Sequence, residues 1–239
     1  MEWFTEIDLY CERVGTAFWA EPINAISNLS FVIAALWAAS SARKRGQFDI
    51  STKVLCLLGA CIGLGSFLFH TTANLWSSFA DVIPIWSFVA LYMLVVFLKL
   101  TGRQGLTATR LLMFLPLLFI SLGWIFISGS ATQVSASTDS LNGSGQYTPA
   151  LIGLWFFTLI SLIKKRPVWP WVMSAAIVFS LSLVARTYDL ALCSRFALGS
   201  HFLWHLLNGL MIGFLLQALI RIEQNSNLNS QRNEIMKNL

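Results

Sequence analysis

Charge is scarce in this chain. Only 11% of its 239 residues are charged, while 56% are hydrophobic. A soluble domain carries about 25% charged residues. The deficit excludes an ordinary water-soluble globule and points to lipid as the solvent, in agreement with a mean hydropathy of +0.68. Cysteine is rare too, with four residues and no zinc-finger spacing among them. The N-terminus has no basic run; it is acidic instead (Glu2, Glu6, Asp8, Glu12), so no cleavable signal peptide is expected. No long soluble segment and no internal repeat interrupts the apolar runs. A net charge of +5 does not imply a nucleic-acid partner, because the basic residues are distributed between apolar segments rather than gathered on one face. Histidine is scarcest of all, with three residues.

A spanning helix needs about 20 mostly apolar residues. Seven runs qualify: 24–42, 53–71, 82–100, 106–128, 148–163, 168–190 and 200–221. The expected fold class is an all-α integral membrane protein, a seven-transmembrane helix bundle. It divides into an extracytoplasmic N-terminal segment (1–23), the membrane domain (24–221) and a polar tail (222–239) expected to be disordered. Thirteen of the sixteen Lys and Arg residues fall on one side of this array; only Arg13, Arg186 and Arg195 fall on the other. By the positive-inside rule the N-terminus lies outside and the C-terminus in the cytoplasm. The Ser/Gly-rich stretch 129–147 lacks Lys and Arg and reads as a flexible outer loop. Trp169, Pro170 and Trp171 follow a basic cluster, as an anchor at the inner interface would.

This topology brings the few reactive side chains to one depth. Ser66 and His70 lie near the outer end of the second span, Asp81 at the outer mouth of the third, and His201 and His205 in the first turns of the seventh. His201 and His205 are four apart and share a helix face. Ionisable groups inside a membrane are costly and mark function by default. Three neutral imidazoles with one open position form the pattern of a catalytic zinc site, and zinc brings the pKa of a bound water to about 7. Asp81 is placed to accept a proton or to orient a histidine, and Ser66 to donate to a developing oxyanion. Such an assembly hydrolyses an amide or ester, and its depth makes a lipid the natural substrate. Each residue has a plainer alternative: interhelical hydrogen bonding for the histidines, helix capping for Asp81, and close packing for Ser66 in the small-residue stripe Gly59–Ser66. Cys56 and Cys61 read as packing residues. Arg186 and Asp189 read as an ion pair; the alternatives are that Arg186 meets a carboxylate near the site or contacts a substrate headgroup.

The motifs Gly63-Leu-Gly65-Ser66-Phe-Leu-Phe69-His70, Asp81-Val-Ile-Pro84 and His201-Phe-Leu-Trp204-His205, with the early Glu21-Pro-Ile-Asn24-Ala-Ile-Ser27-Asn28, resemble the alkaline ceramidases. These belong to a superfamily of seven-span hydrolases that also holds the adiponectin/progestin receptors and Per1-like proteins. The resemblance covers nearly the whole chain. It implies a zinc-dependent amidase that cleaves ceramide, or a related acyl lipid, into a sphingoid base and a fatty acid. His70, His201 and His205 would be the zinc ligands and Ser66 and Asp81 the catalytic residues. It also implies a calcium ion near the N-terminus, with Asp8, Tyr10, Glu12 and Glu21 as candidate ligands, although an extra residue separates Asp8 from Cys11 and Val14 stands where the family has Asn. The alternative there is an acidic cap paired with Arg13 or Arg186. Cys11 and Cys193 fall on the outer side, and the resemblance implies a disulfide between them. Competing readings are a hydrolase or acyltransferase on another acyl lipid, a non-catalytic zinc-containing receptor, and a metal transporter. Compact loops favour a bacterial inner membrane over an endomembrane. The oligomeric state is not legible.

Overall fold

A computed structural model describes residues 3–100 and 141–237 of the chain, those after Ile222 by their backbone. The regular secondary structure of the described residues is helical, apart from one isolated bridge between Glu6 and Asn74. We number the helices α1 (Pro22–Ser27), α2 (Leu29–Lys44), α3 (Ile50–Thr72), α4 (Leu75–Leu100), α5 (Thr148–Ile163), α6 (Trp169–Thr187), α7 (Asp189–Leu192) and α8 (His201–Lys237). Six stretches are long and apolar enough to cross a membrane: Pro22–Lys44, Ile50–Thr72, Leu75–Leu100, Ser144–Ile163, Trp169–Thr187 and His201–Ile222. They match the expected spans within a few residues at most ends; the third begins seven residues early. The expected fourth span, 106–128, lies outside the described residues. The protein is a multi-pass membrane protein.

Large apolar side chains such as Leu36, Leu57, Leu64, Met93 and Phe156 are exposed, which suits a lipid-facing surface and not a water-facing one. Between helices the interfaces use small residues, as membrane bundles do. Helix α2 buries Ala34, Ala35, Ala38, Ala39 and Ala42. It packs on α8 at Gly209 and Gly213, where an added Cβ would meet Ser30 Cβ at 2.6 Å and the Trp37 ring at 2.9 Å. Helices α3 and α4 form a tight hairpin. Its turn places Ala73 in a left-handed conformation, and Asn74 and Ser77 cap α4 by reciprocal hydrogen bonds of 3.1 and 3.2 Å. Helix α4 thus begins at Leu75, and Asp81 is two turns inside it. That corrects the expectation of Asp81 at the helix mouth and removes its capping alternative.

Two further expectations differ from the structure. The end of the supposed flexible loop, residues 141–147, is folded: Ser144–Tyr147 forms a 3-10 turn, and both Ser144 and Tyr147 are buried. Asn142 Nδ2 donates to the Arg186 carbonyl at 3.0 Å and Thr187 Oγ1 donates to Ser144 Oγ at 2.9 Å. Residues 129–140 of that loop lie outside the described residues. The polar tail expected to lack structure continues α8 as helical backbone to Lys237.

A candidate metal centre

The site is assembled by a close approach between α3 and α4. Pro84 has no N–H, so the Ala80 carbonyl four residues earlier has no helical donor. That carbonyl lies against Gly65, where any Cβ would collide with it. Only glycine admits this contact, and it brings the next residues on each helix together: Ser66 hydrogen-bonds the Asp81 carboxyl. His70, one turn beyond Ser66, is 1% exposed. Helix α8 supplies His201 and His205 from its first two turns, 1% and 2% exposed. The ligand atoms of the three histidines all lie within 4.8 Å of one another, and theirs is the one such group of His, Cys, Asp or Glu among the described residues.

Proton accounting shows what the imidazoles offer. His70 Nδ1 is 2.6 Å from Glu21 Oε2, so it donates to that carboxylate. The Ser27 hydroxyl has one proton, which goes to the Asn24 carbonyl at 2.7 Å. It must then accept from His205 Nδ1, 2.8 Å away. Both histidines therefore carry their proton on Nδ1 and present a bare Nε2. These two Nε2 atoms are 3.1 Å apart. Neither has a proton to share, so the pair is repulsive unless a cation lies between them. Tetrahedral zinc with Zn–N of about 2.0–2.1 Å separates neighbouring nitrogens by about 3.3–3.4 Å, close to what is seen. His201 Nδ1 is buried with no hydrogen-bond partner. Three imidazoles so disposed fit a borderline-soft divalent metal ion.

The N-terminal segment forms the lid of this centre. The Tyr10 ring stacks on His201 with centroids 3.6 Å apart. Arg13 pairs with Glu21 Oε1 and donates to the His70 carbonyl at 2.8 Å. Asn24 Nδ2 donates to Glu21 Oε2 at 3.0 Å. Glu21 is thus the hub that joins Arg13, Asn24 and His70. Burial by itself would push its carboxyl upward, but the hydrogen bonds from His70 and Asn24 and the charge of Arg13 hold it below the usual range. Glu12 accepts the backbone N–H groups of Ile23 and Asn24 at 2.7 and 2.8 Å; burial raises its carboxyl, and those two bonds oppose the rise. Burial also raises the Tyr10 phenol, against the nearby Arg186 charge.

This arrangement does not suit the expected calcium ion. Calcium takes six to eight oxygens. The Glu12 oxygens are engaged by α1, the Glu21 oxygens by Arg13, Asn24 and His70, and the Tyr10 hydroxyl accepts from Arg186. Asp8 is exposed and joins no ion-sized cluster among the described residues. The alternative of an acidic cap paired with Arg13 is what the geometry supports.

A disulfide joins Cys11 to Cys193, with Cα atoms 5.4 Å apart, and ties the lid to the segment before α8. Asp189 does not pair with Arg186. Its fully buried carboxylate accepts the backbone N–H groups of Cys11, Ser200 and His201 at 3.0, 2.7 and 2.8 Å. It thereby caps α8 where the metal-ligand candidates begin. Gly199, at φ +61°, leaves space for that carboxylate and for Cys11, where a side chain would collide with both. Glu21, Ser27 and Asp189 were not read as support for the histidines. The spacing of Glu21, Asn24 and Ser27 at three-residue intervals does contain a signal, since it sets them on one helix face.

Below the centre lies an apolar cavity of about 320 Å³, within the range of small-molecule sites. Its lining runs along α8 from Trp204 to Leu215, about 16 Å at the helical rise. Ile62, Phe88, Tyr92 and Phe179 form opposing walls.

No curated protein shows significant similarity to the chain. The family model described as Ceramidase matches residues 5–238, nearly its full length. The chain therefore belongs to the ceramidase family, hydrolases of a lipid amide bond.

Proposed function

We propose that the protein is a zinc-dependent intramembrane amidase that hydrolyses ceramide, or a closely related N-acyl lipid, to a sphingoid base and a fatty acid. The observation that carries this is the facing pair of bare Nε2 atoms on His70 and His205, beside His201, with both tautomers set by Glu21 and Ser27. The ion would be held by His70, His201 and His205, and when bound it supplies Lewis acidity and a water of low pKa. Asp81 takes a proton from the attacking water at a carboxylate oxygen and returns it to the departing nitrogen. A C–O bond forms as the C–N bond breaks, and one water is consumed. Ser66 holds the Asp81 carboxyl in orientation through its hydroxyl. Trp204, next to His205, leads into the apolar cavity, which takes an alkyl chain while the amide sits at the centre.

The same reading has seven spans, the seventh supplied by 106–128, with the N-terminus outside. The lid, the disulfide and the metal centre then share the outer leaflet. The 13-to-3 division of Lys and Arg supports this orientation. The test is hydrolysis of a panel of ceramides by purified protein. Wild type releases free fatty acid, and Asp81→Ala lowers the rate at least a hundredfold, in line with loss of a general base, while retaining bound zinc. Wild type inert across the panel in the presence of zinc would refute the ceramide assignment.

A further inference from the structure

Arg186 is a buried guanidinium beside the metal centre that makes no salt bridge among the described residues. It is 9% exposed. The ion pairs among those residues are Arg13–Glu21, His70–Glu21 and Lys99–Asp49. The carboxylate three residues on, Asp189, is committed to backbone N–H groups. One guanidinium nitrogen donates to the Tyr10 hydroxyl at 3.2 Å, and Nε is buried without a partner. Asp81 is within electrostatic reach but forms no contacting ion pair with it, and its carboxyl is hydrogen-bonded to Ser66. Three ring faces also surround it: the guanidinium carbon lies 5.7 Å from the Tyr10 and Tyr147 centroids and 5.2 Å from that of Trp204. Ring faces attract a cation, but they give its in-plane N–H groups no acceptor. A buried guanidinium with no carboxylate in contact among the described residues is costly, so this position favours an anion that can reach its free N–H groups.

The place is built rather than incidental. Residues 141–147 fold over Arg186, with Asn142 bonded to its carbonyl and Thr187 to Ser144. Gly143, at φ +72°, passes close to the guanidinium: an added Cβ would stand 3.1 Å from its terminal nitrogen, tighter than ordinary contact. Tyr147 and Trp204 also line the apolar cavity, and Tyr10 stacks on His201. Arg186 therefore sits where cavity and metal centre meet. A lipid with its tail in the cavity and its amide at the histidines brings its polar head here.

We propose that Arg186 is the recognition point for an anionic headgroup, so that the favoured substrate is an N-acyl lipid whose amine half carries a phosphate or a carboxylate. The inference rests on the amidase reading above. Arginine suits it because its rigid fork of donors matches the oxygens of either group, and its charge persists at any working pH. The unpartnered Nε and the in-plane donors are the atoms that would meet those oxygens.

Three lipids with one acyl chain test it: an N-acyl sphingoid base with a free hydroxyl, its 1-phosphate, and an N-acyl amino acid. Wild type should show a kcat/KM at least tenfold higher for an anionic lipid than for the neutral one, and the better of the two identifies the headgroup. Arg186→Gln should lose at least tenfold on that lipid and little on the neutral one. Arg186→Lys, which keeps the charge, should recover part of the loss and guards against a folding defect in the first variant. Tryptophan fluorescence gives a readout that needs no catalysis: dodecyl phosphate or dodecanoate should bind at least tenfold more weakly to Arg186→Gln, and dodecanol equally to both. A preference for the neutral lipid that Arg186→Gln leaves unchanged overturns the inference and leaves the amidase reading standing. Hydrolysis of none of the three sinks the amidase reading, whereas Arg186-dependent binding of dodecyl phosphate would still support the anion site.

Discussion

Glu21→Gln is the most informative change to the support of the metal centre, because glutamine keeps the shape of the side chain and removes only its charge. Two separate effects follow. Arg13 and Glu21 are both buried, at 9% and 2% exposure. Removing one partner of a buried pair costs about 3–5 kcal/mol. Arg13 would retain its bonds to the His70 and Gly15 carbonyls, so the lower part of that range is expected, near 3 kcal/mol. The second effect is on the metal. His70 Nδ1 donates to the Glu21 carboxylate at 2.6 Å, and the charge of that acceptor strengthens the basicity of Nε2. Loss of such an outer partner typically weakens metal affinity by about 10–100-fold, or about 1.4–2.8 kcal/mol. The assay is zinc competition against a chelator of known affinity, run beside thermal unfolding in detergent. The expected result is a zinc Kd raised by at least tenfold together with a lowered Tm. A variant whose zinc affinity stays within threefold of wild type would refute the tautomer argument, whatever its stability.

Gly65→Ala tests the helix approach that assembles Ser66 and Asp81. Helix propensity alone favours alanine by about 1 kcal/mol, but the added methyl collides with a backbone carbonyl that no rotamer change can move. Overpacking of about 1–3 kcal/mol should win, so Tm falls and hydrolysis is lost while zinc remains bound. A more stable, fully active variant would contradict the packing described. The orientation is checked by a cysteine at Ser137, outside the described residues. It should react with an impermeant thiol reagent applied from outside, and labelling only after permeabilisation would reverse the topology.

The membrane helices were legible because the signal for a span is local: about 20 apolar residues between polar ends suffice, and five of the six described spans begin within four residues of the expected position. The start of α4 was missed by seven because its first turns, Leu75 to Ala80, contain Ser77 and Ser78 and lead into Asp81, so the unbroken apolar run begins only after them. The three histidines were legible because their rarity and spacing stand out against an apolar background. Their support was not. His70 meets Glu21 across 49 residues and His205 meets Ser27 across 178, and no periodicity links such partners. The acidic N-terminus misled in a different way. Glu12 and Glu21 look alike in sequence, yet one accepts the backbone of α1 and the other bridges Arg13 to His70. A carboxylate that serves a cation and one that serves a helix end have the same letter code. Asp189 is the same case, since its neighbour Arg186 suggested a pair and the backbone of α8 took the carboxylate instead.

The central claim is that His70, His201 and His205 hold a zinc ion. Metal content by mass spectrometry of the purified protein tests it most directly. The account predicts one zinc per chain in wild type and none in a folded His201→Ala/His205→Ala double variant. A folded wild-type protein that takes up no metal when zinc is supplied, or a double variant that keeps its zinc, would contradict it.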